Sequence, residues 1–182
     1  MTSNTLVRPV AFRKQLTLTL PAVAAAVLLP QLFHLMGQLS GLGTAPGETF
    51  LPMHLPVLFI GLYAGPWAGV LTGLLAPLVS FWLSGMPVAA VLPFMMVELT
   101  GYGLAAGLLR GVRMPALLKV VTAQVAGRVL RALMLLLAVY VFGCTDLALS
   151  SIWTSLGTGI WGLALQWSLL PLLLHRVKSD DR

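Results

Sequence analysis

Six apolar segments, separated by short breaks of glycine, proline and polar residues, make up most of the 182-residue chain. A helix needs about 20 apolar residues to cross the hydrocarbon core of a bilayer, and most of these segments approach that length. The pattern predicts an all-α integral membrane protein, a bundle of six transmembrane helices in a single membrane domain over residues 1–182. The predicted spans are 16–36, 55–64, 67–83, 88–109, 116–142 and 151–174.

The breaks in the first half of the chain predict one long loop and two tight turns. Residues 37–54 are rich in glycine and are expected to form a loop after the first span. Gly65 and Pro66 favour a reversal between the second and third segments, and Ser-Gly-Met-Pro at residues 84–87 favours another before the fourth. The second and third segments are therefore predicted to form a helical hairpin.

The composition supports a membrane location. Hydrophobic residues make up 58% of the chain and charged residues 9%, whereas soluble domains carry roughly 25% charged residues. Too little polar sequence remains for a separate soluble domain. The single cysteine, Cys144, excludes an intrachain disulfide and a cysteine-based metal site, and we expect it to pack as a small apolar residue.

The basic residues indicate membrane orientation rather than a nucleic-acid partner, although the formal net charge is +6. They are dispersed between the apolar segments instead of forming one patch. Nine of the eleven lie in the amino terminus, between the fourth and fifth spans, or in the tail, and the three intervening loops contain none. Because cytoplasmic loops concentrate lysine and arginine, both termini are predicted to be cytoplasmic.

The remaining two basic residues, Arg128 and Arg131, lie inside the fifth predicted span, and Glu98 lies inside the fourth. Counting from the outer ends of these spans at about 1.5 Å per residue places Glu98 and Arg131 at one depth, with Arg128 a turn deeper. A charge at that depth needs a partner. Glu98 and Arg131 are therefore predicted to pair, with support from Arg128. The pair either fixes helix register or also faces a substrate cavity.

Small residues recur every four positions in three of the predicted spans. One series runs through the second and third segments and another ends the fourth: Gly61, Gly65, Gly69, Gly73, Gly103, Gly107 and Gly111. Because this spacing lets membrane helices approach closely, internal packing is predicted for the glycines. In the first span, Ala22 and Ala26 make a similar smooth face, which serves either internal packing or an external protein partner.

The predicted outer end of the bundle collects His54, Trp82 and Trp153. Tryptophan commonly anchors a helix at the membrane interface. The convergence of these side chains above the level of Glu98 and Arg131 also fits the aromatic walls of a small-molecule site. The sequence contains no nucleophile–base pattern, phosphate-binding loop or metal-ligand spacing, so we expect no enzyme activity, no cofactor and no metal.

The core of the chain resembles the substrate-binding S components of energy-coupling factor (ECF) transporters for vitamins and related micronutrients. The resemblance lies in FLPMHLPVLFIGLYAGPWAGVLTGLLAPLVSFWLSGMP and the following LPFMMVELTGYGLAAGLL, and it is strongest over residues 51–109. It implies a six-helix, multi-pass protein of a prokaryotic plasma membrane that is part of an ABC importer.

The resemblance further implies how such a protein works. The bundle captures a vitamin from outside with high affinity and then topples in the membrane, bound to a transmembrane coupling subunit and two cytoplasmic ATPases. Ala22 and Ala26 match the small residues that contact the coupling subunit, and residues 37–54 match the gate over the site. The substrate-binding residues expected from their positions are His54, Trp82, Glu98, Arg128, Arg131 and Trp153.

The chemistry of the substrate stays open at this point. An arginine beside a buried cavity suits a ligand carboxylate, because its planar fork makes two hydrogen bonds. Pairing of Arg131 with Glu98 weakens that preference. Vitamins that carry a carboxylate and larger cofactors such as cobalamin both fit.

Two other functions are compatible with the same residues. A small secondary transporter or channel that works alone would use Glu98 and Arg131 as a proton or ion relay. A scaffold protein without a ligand would use the pair only structurally. Ion-driven flux without an ATPase would identify the first, and stoichiometric binding of a vitamin would exclude the second.

Overall fold

The computed structural model describes residues 10–43, 45–141 and 159–180, and every regular element within these ranges is an α-helix. Four of the helices are long and apolar enough to cross a membrane, and a fifth is apolar but shorter. The predicted all-α membrane class is thus confirmed for this part of the chain, while six spans and cytoplasmic termini stay predictions. The described helices are α1 (Phe12–Leu39), α2 (Ala45–Phe50), α3 (His54–Ala64), α4 (Pro66–Ser84), α5 (Leu92–Leu109), α6 (Ala116–Tyr140) and α7 (Ile160–Asp180).

Several helix boundaries differ from the sequence-based expectation. Helix α1 begins at Phe12 rather than at residue 16. The segment 37–54 is not a loop throughout, because α1 continues to Leu39 and the short helix α2 follows, with Pro46 in its first turn where proline is favoured. The fourth span begins at Leu92 rather than at residue 88. A turn in which the Val91 amide donates to the Val88 carbonyl at 2.9 Å precedes it.

The predicted sixth span, 151–174, is described only from residue 159 onward. Within that part, α7 covers the end of the predicted span and continues to Asp180. Cys144 lies outside the described residues.

The backbones of α4 and α5 touch at their glycines. A methyl group added to Gly69 would overlap the backbone of Gly103, and one added to Gly73 would overlap the Leu99 carbonyl. A methyl at Gly61 on α3 would lie 2.8 Å from the Gly103 carbonyl oxygen. The four-residue spacing therefore forms the internal packing surface that the sequence predicts, and it places α5 against both α3 and α4. Gly111, at the end of the series, faces open space.

Helix α1 packs along α3 and α4 through its alanines. Ala26 is fully buried and belongs to the main apolar core, and Ala22 is buried against Ile60, Ala64 and Ala68. This face therefore takes part in internal packing, and contact with an external protein partner stays a prediction. The leucines on the opposite side of α1, such as Leu20, are exposed and suit contact with lipid.

A glutamine on α1 holds the turn between α3 and α4. The Gln15 side-chain oxygen, Oε1, accepts hydrogen bonds from the backbone amides of Trp67 (3.2 Å) and Ala68 (3.4 Å), which begin α4 and have no partner within the helix. Gly65, with φ of +131°, makes the reversal directly beneath the Gln15 amide. The predicted turn at Gly65 and Pro66 is confirmed.

Helix α7 is joined to the bundle by a buried amide network. The Gln124 side chain donates to Gln166 Oε1 at 2.8 Å, and Trp167 Nε1 donates to Gln124 Oε1 at 2.7 Å. Gln166 in turn donates to the Leu51 carbonyl at 3.4 Å. Leu51 has a positive φ of 48°, so the junction between α2 and α3 adopts a conformation that is unusual for a leucine. The network therefore links α6, α7 and this junction.

Candidate functional site

The ion pair predicted between α5 and α6 is present. Arg131 Nη1 donates to Glu98 Oε2 at 2.8 Å, and the Glu98 side chain is almost completely buried, whereas the Arg131 side chain is 21% exposed. Depth counting brought these two residues together correctly because both helices are regular between the counted positions. The pair lies within the span of α5, where an isolated carboxylate would be strongly unfavourable.

Tyr102 satisfies the second oxygen of the same carboxylate. It lies one turn after Glu98 on α5, and its hydroxyl donates to Glu98 Oε1 at 2.6 Å. Tyr102 is fully buried. Both oxygens of Glu98 are therefore hydrogen-bonded, one to an arginine and one to a phenol. The carboxylate is held in a fixed orientation between α5 and α6.

Gly127 allows α5 and α6 to approach closely enough for these contacts. A methyl group at this position would overlap the Tyr102 ring and would lie 2.6 Å from the backbone carbonyl of Glu98. Gly127 also immediately precedes Arg128 on α6. The small residue and the two cationic side chains are thus parts of one helix surface that faces α5.

His54 joins this group from the first residue of α3. Its ring lies 5.3 Å from the Tyr102 ring between centroids, at an interplanar angle of 52°. The side chain is buried, and its Nδ1 has no hydrogen-bond partner among the described residues. The charges of Glu98, Arg128 and Arg131 all act on it. The sequence predicts His54 above the level of Glu98 and Arg131, and the structure places its ring against Tyr102, the residue that holds Glu98.

Arg128 is placed differently from its predicted role. It was expected to support Glu98, but the ion pair of Glu98 in the described structure is with Arg131, and the Arg128 Nε is buried without a partner. Its charge does act on His54 and Tyr102. We call His54, Glu98, Tyr102, Arg128 and Arg131 the polar cluster.

The two predicted tryptophans do not add to this geometry. Trp82 is 84% exposed near the end of α4, so it does not cover the polar cluster in this structure. Its exposure suits an interfacial anchor. Trp153 lies outside the described residues.

Sequence reasoning missed four residues of the site and its surroundings. Tyr102 could have been found, because a residue four positions after Glu98 lies on the same helix face. Gly127 is not part of either four-residue glycine series, so the spacing of glycines did not point to it. Gln124 and Gln166 are isolated polar residues in apolar helices, and their 42-residue separation gives no local indication of a contact.

The described residues contain no group of three or more histidine, cysteine, aspartate or glutamate side chains placed to hold a metal ion. Comparison with known proteins gives one match. The family model for ECF transporter, substrate-specific component, matches residues 15–174, which is most of the chain. No curated protein and no solved structure matches this chain.

Proposed function

Because the chain belongs to the substrate-specific components of ECF transporters, we propose that it is the high-affinity membrane subunit that captures a vitamin or related micronutrient from outside. The family makes it a transport subunit of a membrane complex rather than an enzyme. The structural observation that supports capture by this chain itself is the polar cluster. In that cluster, several buried nitrogen atoms have no partner among the described residues.

Unpartnered buried donors favour a ligand at this position. Arg128 Nε and Arg131 Nε are enclosed donors that lack hydrogen-bond partners in the described part of the chain. A buried donor left unsatisfied costs about 1–3 kcal/mol, more when it is charged. A substrate that accepts these hydrogen bonds would recover that free energy on binding. We therefore assign substrate contacts to His54, Arg128 and Arg131. Glu98 acts by positioning Arg131, and Tyr102 by holding Glu98.

Delivery of the substrate is proposed to follow the family pattern. The loaded bundle would topple in a prokaryotic plasma membrane against a transmembrane coupling subunit, with two cytoplasmic ATPases supplying energy. Ala22 and Ala26 are buried against α3 and α4, so they would influence coupling by setting the path of α1 rather than by direct contact. The outward side of α1 is the part of that helix that a partner would meet.

The test is mass spectrometry of small molecules released from the protein after purification from a rich medium. We expect one vitamin-like compound in about stoichiometric amount, and less of it in Glu98→Gln, because Arg131 and Tyr102 lose the carboxylate that orients them. Arg176→Gln, which changes an exposed residue of α7, is the control and should keep the compound. The secondary-transporter alternative would instead give ion-driven flux in liposomes that contain this chain alone, and that result would overturn the proposal.

A further inference from the structure

The polar cluster carries more positive than negative charge among the described residues. Arg128 and Arg131 contribute two permanent positive charges, and Glu98 contributes one negative charge that is already engaged by Arg131 and Tyr102. His54 and Tyr102, the other titratable side chains of the cluster, add no negative charge. One cation is therefore left uncompensated within this part of the chain, and it is Arg128.

Arg128 is too deep to reach the membrane surface. It lies twelve residues after Ala116 and twelve before Tyr140, the two ends of α6. At about 1.5 Å per residue it is about 18 Å from either end. Snorkelling serves arginines close to helix ends, and here it is not available. The partly buried guanidinium must therefore find its counter-charge at this depth.

We propose that the substrate carries a single negatively charged group, a carboxylate, which binds Arg128. This inference rests on the proposed function. His54 Nδ1 and Arg131 Nε, in the same polar cluster, are further buried nitrogen atoms without a hydrogen-bond partner among the described residues. Glu98 acts as a positioning residue, because its two hydrogen bonds hold Arg131 and Tyr102 on either side of it.

The charge balance distinguishes a carboxylate from a phosphate monoester. In a low-dielectric interior the most favourable arrangement of charges is neutral overall. A carboxylate brings the cluster from one excess positive charge to zero. A phosphate monoester carries about two negative charges and would leave an excess negative charge instead. A neutral substrate would leave Arg128 uncompensated.

The experiment uses the full chain in detergent, freed of co-purified small molecules. The ligand source is a deproteinised yeast extract, which anion exchange separates into neutral, singly charged and multiply charged fractions. Thermal unfolding is followed with each fraction. We expect the melting temperature to rise with the singly charged fraction. Stabilisation confined to the neutral or multiply charged fraction would overturn this inference and leave the proposed function standing. Stabilisation by no fraction would overturn both.

Variants separate a binding role of Arg128 from a structural one. For Arg128→Gln we expect that about 10 to 100 times more of the active fraction is needed to reach the same rise in melting temperature. This is the loss of affinity expected for one charged hydrogen bond. The ligand-free variant should melt at or above the wild-type temperature, because an uncompensated charge has been removed. Arg176→Gln, at an exposed position, is the matched control and should match wild type in both measurements. A lower melting temperature of ligand-free Arg128→Gln would show a structural partner for Arg128 and would overturn the assignment.

Discussion

Tyr102 is the side chain on which the geometry of the polar cluster depends most directly. The Tyr102 hydroxyl is a neutral donor to one oxygen of Glu98. The other oxygen pairs with the charged Arg131. A hydrogen bond to a charged group is worth about 1.5–3 kcal/mol. The ring also packs against the His54 ring, with 5.3 Å between the ring centroids.

Replacing Tyr102 by phenylalanine is expected to lower the free energy of unfolding by about 1.5–3 kcal/mol, because Glu98 Oε1 loses its donor without loss of the ring. The measurement is unfolding of the purified protein in mixed detergent micelles. Tyr140→Phe is the control, since Tyr140 is 73% exposed at the end of α6. Equal stability of Tyr102→Phe and wild type would mean that the hydroxyl contributes nothing to the site.

Single residues were predictable where regular helix geometry decided their position. The pairing of Glu98 with Arg131 followed from equal depth on two neighbouring helices. The missing partner of Arg128 did not follow, because helical spacing places a residue on a face but does not determine which of two arginines reaches an acid. That choice depends on the contact of α5 and α6 at Gly127.

At the scale of helices, the glycines of α4 and α5 determine how close the two backbones come. The contact extends from Gly69 and Gly103 to Gly73 and Leu99, and it leaves no room for a side chain between the helices. Membrane helices gain little from apolar burial against each other, so close packing of this kind carries much of their association.

Gly69→Ala is expected to destabilise the bundle by about 1–3 kcal/mol, the usual cost of forcing extra atoms into a packed interior. Gly111→Ala makes the same chemical change where the added methyl meets open space, and it should be nearly neutral. Unfolding of both variants under the same conditions provides the comparison. Two variants of equal stability would contradict the assignment of the α4–α5 contact.

Helix positions in this chain were easier to predict than the connections between them. The ranges of α3, α4 and α6 lie close to apolar runs whose ends are marked by glycine and proline. Helix α2 was missed because six residues are too few to show a periodic pattern. The start of α5 was placed too early because Val88 to Val91 are apolar yet form a turn, and hydrophobicity alone does not separate a turn from a helix.

At the scale of the whole molecule, α5 is the central element of the described bundle. It packs against α3, α4 and α6, and it carries both Glu98 and Tyr102. The outward surfaces of α1 and α6 are lined with exposed leucine and valine side chains. Buried polar side chains on several helices thus lie inside the bundle, and many apolar side chains face outward, as a bilayer requires.

The charge map predicts that both termini and the connection between α5 and α6 are cytoplasmic. Alkaline phosphatase fused after Gly85 should be active and the same enzyme fused after Val112 inactive, while a fluorescent protein at the carboxyl terminus should fluoresce. Arg110 and Arg113 in that connection supply the positive charge behind this expectation. The reverse pattern of reporter activity would show that the protein is inserted in the opposite orientation.

The hydrogen bond from Gln166 to the Leu51 carbonyl joins positions that are 115 residues apart. A ribosome adds about 5 to 20 residues per second, so the α2–α3 junction enters the membrane on the order of 10 seconds before this partner is made. During that time Gln124 also lacks the acceptor that it has in the finished protein. A chain that ends before residue 166 would keep both deficits permanently. Incomplete products of translation should therefore assemble poorly, because they lack both hydrogen bonds to Gln166. We expect membrane proteases to remove them.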